Sequence, residues 1–351
     1  MTGVLLGVFD GYMPLKRDAL TSETKIGGTP TYFPALSETQ TAILQKWTTC
    51  GVCGHPMFLL LQAFSPLPLA SSTLHHRMIY IFCCNSAACT LQPTCSWCAF
   101  TLQVDAVDES ALEEEEEEET KDLLRCDHPL RPAELPPNTF PPCFVDIVAE
   151  PKKKKEIIVP TELEAEMIRV SEENARNAGI TEADIKELER TIDLKDKPSD
   201  LDFEKFQRRL AREPRQVLRY YVRDPLGKQE NGVLTPTALP LFMNPGKVRN
   251  NVRIPPCDNC GAALTHELQL MPTCVYYLRV GEYLATGKST TDEGVDWGSV
   301  TVFVCSKDCS KDCSGVLLRR AFVFVEKAPA LEDEAKETDG RQNLRSFMNS
   351  S

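Results

Sequence analysis

Long apolar runs are missing from this sequence. None of its 351 residues belongs to a stretch approaching the roughly 18 consecutive apolar side chains that a membrane-crossing helix needs. The opening "MTGVLLGVFDGY" has no basic segment ahead of its apolar run, which stops at Asp10, so neither a secretory signal nor an anchor is expected there. Positive charge is also short. Lys and Arg number 39 against 51 Asp and Glu, a net −12, which argues against general nucleic-acid binding and fits a basic partner or plain solubility.

Histidine is scarce, with five in the chain, and the usual catalytic signatures are missing. His266-Glu267 begins like a zinc-protease helix, but position 270 is leucine where a second histidine is required. "KIGGTP" (Lys25 to Pro30) has the spacing of neither a P-loop nor a dinucleotide fingerprint, and Gly27-Gly28 reads as a tight turn. His75 and His76 read as loop residues. With no nucleophile, general base or phosphate cradle in view, the chain is not expected to be an enzyme.

Cysteine, by contrast, is plentiful. Fifteen is an odd number and fits a pure disulfide framework poorly. A cytosolic or nuclear location is expected, where thiols stay reduced and paired cysteines point to metal. "CGVCGHPMFLLLQ" starts at Cys50, and 207 positions on, at Cys257, stands "CDNCGAALTHELQ". Each has cysteines three apart, a glycine after the second, and a glutamine eight residues past that glycine. A pattern repeated at one offset implies two copies of one structural unit.

Each copy continues in the same way. "RMIYIFCC" and "GSVTVFVC" are strand-like runs ending on cysteine, with another cysteine four or five positions on. "CAFTLQV" and "RRAFVFV" supply closing strands. Zinc favours four ligands in a tetrahedron, and a C-x2-C knuckle supplies two. Cys50, Cys53, Cys84 and Cys89 are therefore assigned to one structural zinc ion, and Cys257, Cys260, Cys305 and Cys309 to a second. Cys83 is an alternative to Cys84, and Cys95 with Cys98, or Cys313, compete for places. Cys126, Cys143 and Cys274 have no partner spacing and read as ordinary thiols.

Composition divides the chain into an N-terminal zinc-ribbon-like β unit (1–103), an acidic low-complexity linker (104–196), a C-terminal domain with the second zinc site (197–328) and a flexible tail (329–351). The linker holds seven glutamates (Glu113 to Glu119), the Pro-rich "HPLRPAELPPNTFPP" and four lysines (Lys152 to Lys155), blocks unable to bury a core. Two charged helices are predicted within 161–193, the first opened by a Thr161/Glu164 capping box. "IIVPTELEAEMI" has the spaced aliphatics of a nuclear export signal or simply of a helix. "SDLDFEKFQRRLAREP" reads as an amphipathic helix closed by Pro214, and "VLRYYVR" as a strand or short buried element. The expected fold class is α+β, mainly β: two internally similar zinc-ribbon-containing β units in a pseudo-symmetric body.

"LLGVFDG", "TKIGGTP", "CGVC", "LLLQAFSPL", "HRMIYIFCC" and "SWCAFTLQ" resemble the N-terminal half of the programmed cell death protein 2 family. "FEKFQRRLAREPRQVLRYYVR", "PPCDNCG", "HELQLMP", "DWGSVTVFVCSKDC" and "AFVFVE" resemble its C-terminal domain. Some members insert a MYND-type finger between the halves. Only Cys126 and Cys143 occupy that segment here, so the chain is more similar to the branch without it, the programmed cell death protein 2-like proteins and the fungal 20S pre-rRNA accumulation homologue. Thr101 stands where the family tends to carry arginine after "SWxxF". The resemblance implies a dedicated chaperone or adaptor for a small-subunit ribosomal protein, universal protein five (eukaryotic protein two), in 40S ribosome biogenesis. It also implies shuttling through the nucleus in some members; the chain itself is expected to be a cytoplasmic monomer. The alternative is a zinc-ribbon nucleic-acid-binding protein acting directly on pre-rRNA, against which the low pI weighs.

Overall fold

Ten strands, all paired antiparallel, close into one barrel in the computed structural model of the chain. The structure describes residues 3–32, 35–66, 76–104, 125–126, 128–151, 201–221, 223, 238–246, 248, 252–284, 292–309 and 316–327. In chain order the strands are β1 (Val4–Tyr12), β2 (Lys25–Ile26), β3 (Phe58–Phe64), β4 (His76–Cys83), β5 (Trp97–Val104), β6 (Cys143–Ala149), β7 (Gln216–Tyr221), β8 (Leu264–Leu270), β9 (Ser299–Cys305) and β10 (Leu317–Glu326). Around the wall the order is β1-β6-β2-β3-β4-β5-β10-β9-β8-β7, and β7 returns to β1. Closure removes the exposed edges that an open sheet would present.

Strands from both sequence zones share one wall. By compactness the chain forms one unit of residues 1–150 with 213–351, and a second of 151–212. Residues 128–151, read as linker, are built into the barrel: β6 lies between β1 and β2, and Phe140 is fully buried against Phe58, ring centroids 4.6 Å apart. The sequence hides β6 because "CFVDIVA" is half-exposed along most of its length and follows a Pro-rich approach. Of the linker, the glutamate run, the lysines and the helices of 161–193 lie outside the described residues, as do the residues of the tail beyond Lys327. In the second unit, helix α2 (Leu201–Leu210) bears out the amphipathic reading, with Phe203 and Phe206 stacked and a Glu204–Arg208 pair at 2.8 Å.

Side-chain alternation explains the uninterrupted apolar run of β4. Ile79, Ile81 and Cys83 join the barrel core with Trp97, Ala99, Leu268, Leu270, Val300 and Val302. Met78, Tyr80 and Phe82 face the opposite way and form a second core with Phe100 and Leu102. Helix α1 (Glu38–Trp47), opened by a Ser37/Gln40 capping box, packs Leu44 on that outer layer. Both faces are buried, so both are apolar. His76 stands in β4 opposite Val104, which corrects its reading as a loop residue.

The β3–β4 and β8–β9 hairpins follow the same register rule. One residue of the first strand, Leu60 or Glu267, is left unpaired as a bulge, and two residues later comes the shared glutamine. Both glutamines are fully buried and fasten a passing loop by its backbone. Gln62 accepts from Thr31 N–H (2.8 Å) and donates to the Thr21 and Glu23 carbonyls. Gln269 accepts from Leu241 N–H (2.9 Å) and donates to the Leu241 carbonyl (2.9 Å). The repeated glutamine thus satisfies loop backbone that would otherwise be buried unpaired.

The turn expected at Gly27-Gly28 is present, with φ of 68° and 70°. It wraps a fully buried ion pair. Lys25 Nζ donates to the Asp18 carboxylate (2.7 Å) and to the Asp18 and Thr29 carbonyls, while Thr29 N–H and Oγ1 donate to the other Asp18 oxygen. A Cβ on Gly28 would run into that carboxylate, so glycine is required for close approach as well as for φ.

Candidate metal centres

Two turns of near-identical backbone carry the C-x2-C pairs. In the first, Cys50 N–H donates to the His55 carbonyl (2.9 Å) and Gly54 N–H to the Cys50 carbonyl (2.8 Å). In the second, Cys257 N–H donates to Ala262 (2.8 Å) and Gly261 N–H to Cys257 (2.8 Å). Gly54 and Gly261 sit at φ of 73° and 70°, a left-handed conformation that glycine enters without steric cost. These turns aim both sulfurs of each knuckle to one side.

Each hairpin then delivers the second pair. Cys50, Cys53, Cys84 and Cys89 come together with their sulfurs all within 4.8 Å of one another, and so do Cys257, Cys260, Cys305 and Cys309. Representative Sγ–Sγ separations are 3.6 Å for Cys53–Cys84, Cys257–Cys309 and Cys260–Cys305. Each group of four could hold one metal ion. The alternatives separate on geometry. Cys83 points into the barrel core while Cys84, next along the strand, points out to the cluster. Cys95, exposed on the short helix 93–96, and Cys98, buried in the outer core, belong to neither group. Cys313 lies outside the described residues. Cys143 and Cys274 are buried in the barrel core, and Cys126 bridges to Tyr12 through its backbone.

The donor chemistry suits a cation. Burial pushes the Cys84 thiol well up, and the neighbouring Cys53, Cys89 and Cys50 sulfurs push it further. Burial likewise raises Cys309 to about 12, whereas the Ala262 amide holds the exposed Cys260 thiol down at about 7. Four thiolates this close need a positive ion between them.

The loop joining the second pair of cysteines is a feature that sequence reasoning missed. In the first centre, Asn85 follows Cys84 and is fully buried in the C-terminal half. It donates to the carbonyls of Val280 (2.8 Å) and Tyr283 (3.0 Å) and accepts from Val295 N–H (2.8 Å). Ser86 Oγ and Ala87 N–H donate to Asp292 at 2.8 and 2.9 Å. In the second centre the loop reaches the other way. Asp308 accepts from Gln103 Nε2 (3.0 Å) and lies 3.8 Å from Arg77 Nε, both in the N-terminal half. Each cysteine group therefore holds a loop that fastens one half of the barrel to the other.

Next to that second loop lies a buried charge network. Glu267, the β8 bulge residue, is paired with Arg77 of β4 and with Arg223 (3.0 Å), and Ser65 Oγ donates to it. Burial alone would push the Glu267 carboxyl up, but Arg223 and then Arg77 outweigh it and hold it at about 2. His266 faces the other way, with Nε2 2.7 Å from the Ala238 carbonyl. The His-Glu pair thus lies on a strand, with the glutamate in an internal ion cluster.

A family profile described as the N-terminal domain of programmed cell death protein 2 matches residues 3–118, and one described as its C-terminal domain matches residues 200–327. Bovine (Bos taurus) programmed cell death protein 2 is 25% identical over 331 residues, covering 82% of this chain and 86% of the relative. Mouse (Mus musculus) programmed cell death protein 2-like is 24% identical over 371 residues, covering 87% and 91%. The chicken (Gallus gallus) programmed cell death protein 2-like protein reaches 31% over 130 residues, 37% of this chain and 28% of the relative. No solved structure matches the chain.

Proposed function

Because the chain belongs to the programmed cell death protein 2 family, we propose that it is a non-enzymatic, zinc-stabilised chaperone or adaptor that escorts a small-subunit ribosomal protein toward 40S assembly. The observation that carries this reading is the pair of four-cysteine groups, one in each of the two family domains. Zinc fits them. All-sulfur, four-ligand sets without an open position serve as structural rather than catalytic zinc sites. When bound, the ion supplies folding free energy by holding four sulfurs in place. The chain's own residues do the rest: Asn85 and Asp308 carry each loop across the barrel, and the two glutamines fasten the loops outside it.

The matching knuckles, bulges and glutamines support two sister units arranged pseudo-symmetrically around the barrel. The net negative charge of the full chain supports a basic client. At a net charge of −12 the chain attracts a nascent ribosomal protein electrostatically and competes with RNA for it. The carrier is a monomer of the cytoplasm that enters the nucleus with its cargo, and it makes no direct contact with nucleic acid.

Affinity purification of the full chain, split into nuclease-treated and untreated halves, tests this. The client is expected to survive nuclease and to be lost when the chain is stripped of metal. Release of the ribosomal protein by nuclease alone would instead mark a protein acting directly on pre-rRNA.

A further inference from the structure

A groove of about 560 Å³ runs beside the first cysteine group, between α1, the Cys50 knuckle and the short helix 93–96. Ile43, Trp47, Met57 and Trp97 give it an apolar lining. Lys46 and Arg320 are the charged residues that line it, and no acidic side chain does. The Arg320 guanidinium lies 5.6 Å above the Trp47 ring, which orients the cation without neutralising it. Neither Lys46 nor Arg320 has a carboxylate partner among the described residues. Around this groove Ile43 is 38% exposed and Val52, on the knuckle, 39%.

We propose that this groove docks a short acidic, apolar-anchored segment of a partner protein, its bulky side chain against Trp47 and Ile43 and its carboxylates on Lys46 and Arg320. Charge complementarity selects the occupant. An apolar floor with an exclusively cationic rim rewards carboxylates flanking an aliphatic or aromatic anchor, and it repels the basic client proposed above. Nucleic acid fits less well, because Arg320 already occupies one face of the Trp47 ring that a base would stack on. The groove's charge preference is thus opposite to that expected for the basic client.

Two of the three tryptophans line the groove, so intrinsic fluorescence of the metal-loaded full chain reads occupancy. The probes are a helical peptide with leucines at i, i+3, i+4 and i+7 and glutamates between them, the same peptide with glutamines, and single-stranded oligouridylate. The glutamate peptide is expected to bind saturably, with affinity about three- to tenfold above its glutamine counterpart and falling with salt. Lys46→Glu with Arg320→Glu should abolish that preference at unchanged metal content, while Lys46→Arg with Arg320→Lys keeps it. Should the arginine–tryptophan contact prove necessary for folding, Lys46→Glu alone, at an exposed helix position, is expected to reduce the preference by about half. Equal binding of the two peptides, indifference to Lys46→Glu, or displacement of the peptide by oligouridylate would overturn the proposal.

Discussion

The two cysteine groups are built on the same knuckle and the same bulged hairpin, yet they differ in depth. Cys50, Cys84 and Cys89 are each at most 2% exposed, whereas in the second group Cys260 is exposed and Cys305 and Cys309 are half-buried. Their loops differ in chemistry too. The first presents a neutral amide, Asn85, to three backbone groups in a dry seam; the second presents a carboxylate, Asp308, to Arg77 and Gln103. One local motif thus produces a buried fastening and a wetter, charged one. The lesson is that equal ligands do not make equal contributions. What an ion held in either group would secure depends on how much of the other half its loop holds.

The comparison breaks most visibly at the ligands. Cys84→Ser should cost one ion and lower the thermal midpoint by about 10 °C or more, since a structural zinc site contributes folding free energy directly. Cys260→Ser should also lose one ion but with a clearly smaller drop, and in wild type a competing chelator should strip the second centre first. Equal melting shifts would mean that depth does not matter.

Next comes the network behind the second loop. Glu267→Gln leaves Arg223 buried without its paired carboxylate and Arg77 with Asp308 alone, at 3.8 Å, for an expected loss of about 3–5 kcal/mol at neutral pH. Because the folded carboxyl is held at about 2, below its ordinary value, its contribution is present above that ordinary value and fades as pH falls. Denaturant titrations should therefore show wild type and variant converging between about pH 5 and pH 2.

Asn85→Ala tests the first seam. Removing three hydrogen bonds in a dry seam should cost about 2–3 kcal/mol. Amide exchange should rise around Val295 while both ions stay bound. Asp308→Ala, at the more open seam, should cost about 1 kcal/mol. The reverse order of these two losses would show that the second loop is the principal fastening.

Much of this was legible in the sequence, for physical reasons that differ by element. The eight cysteines could be assigned because a tight turn after C-x2-C demands a glycine and a strand end delivers the next sulfur. The choice of Cys84 over Cys83 could not, since it depends on which face of β4 lies inward. The strands of the two hairpins announced themselves through β-branched and aromatic runs. β6 did not, because a half-exposed wall strand carries Asp146 and follows prolines. Lys25, Asp18, Arg77 and Glu267 gave no signal either. Charged residues normally read as surface: Arg77 and Glu267, 190 positions apart, meet only when the barrel forms, and Lys25 meets Asp18, seven positions away, only where the chain folds back at the Gly27-Gly28 turn.

Native mass spectrometry of the full chain measures the central claim most directly, that eight sulfurs clamp two ions and thereby fasten the barrel. Two zinc ions per chain are expected, one each in Cys84→Ser and Cys260→Ser. A folded wild-type chain without metal, or variants that keep both ions, would contradict it.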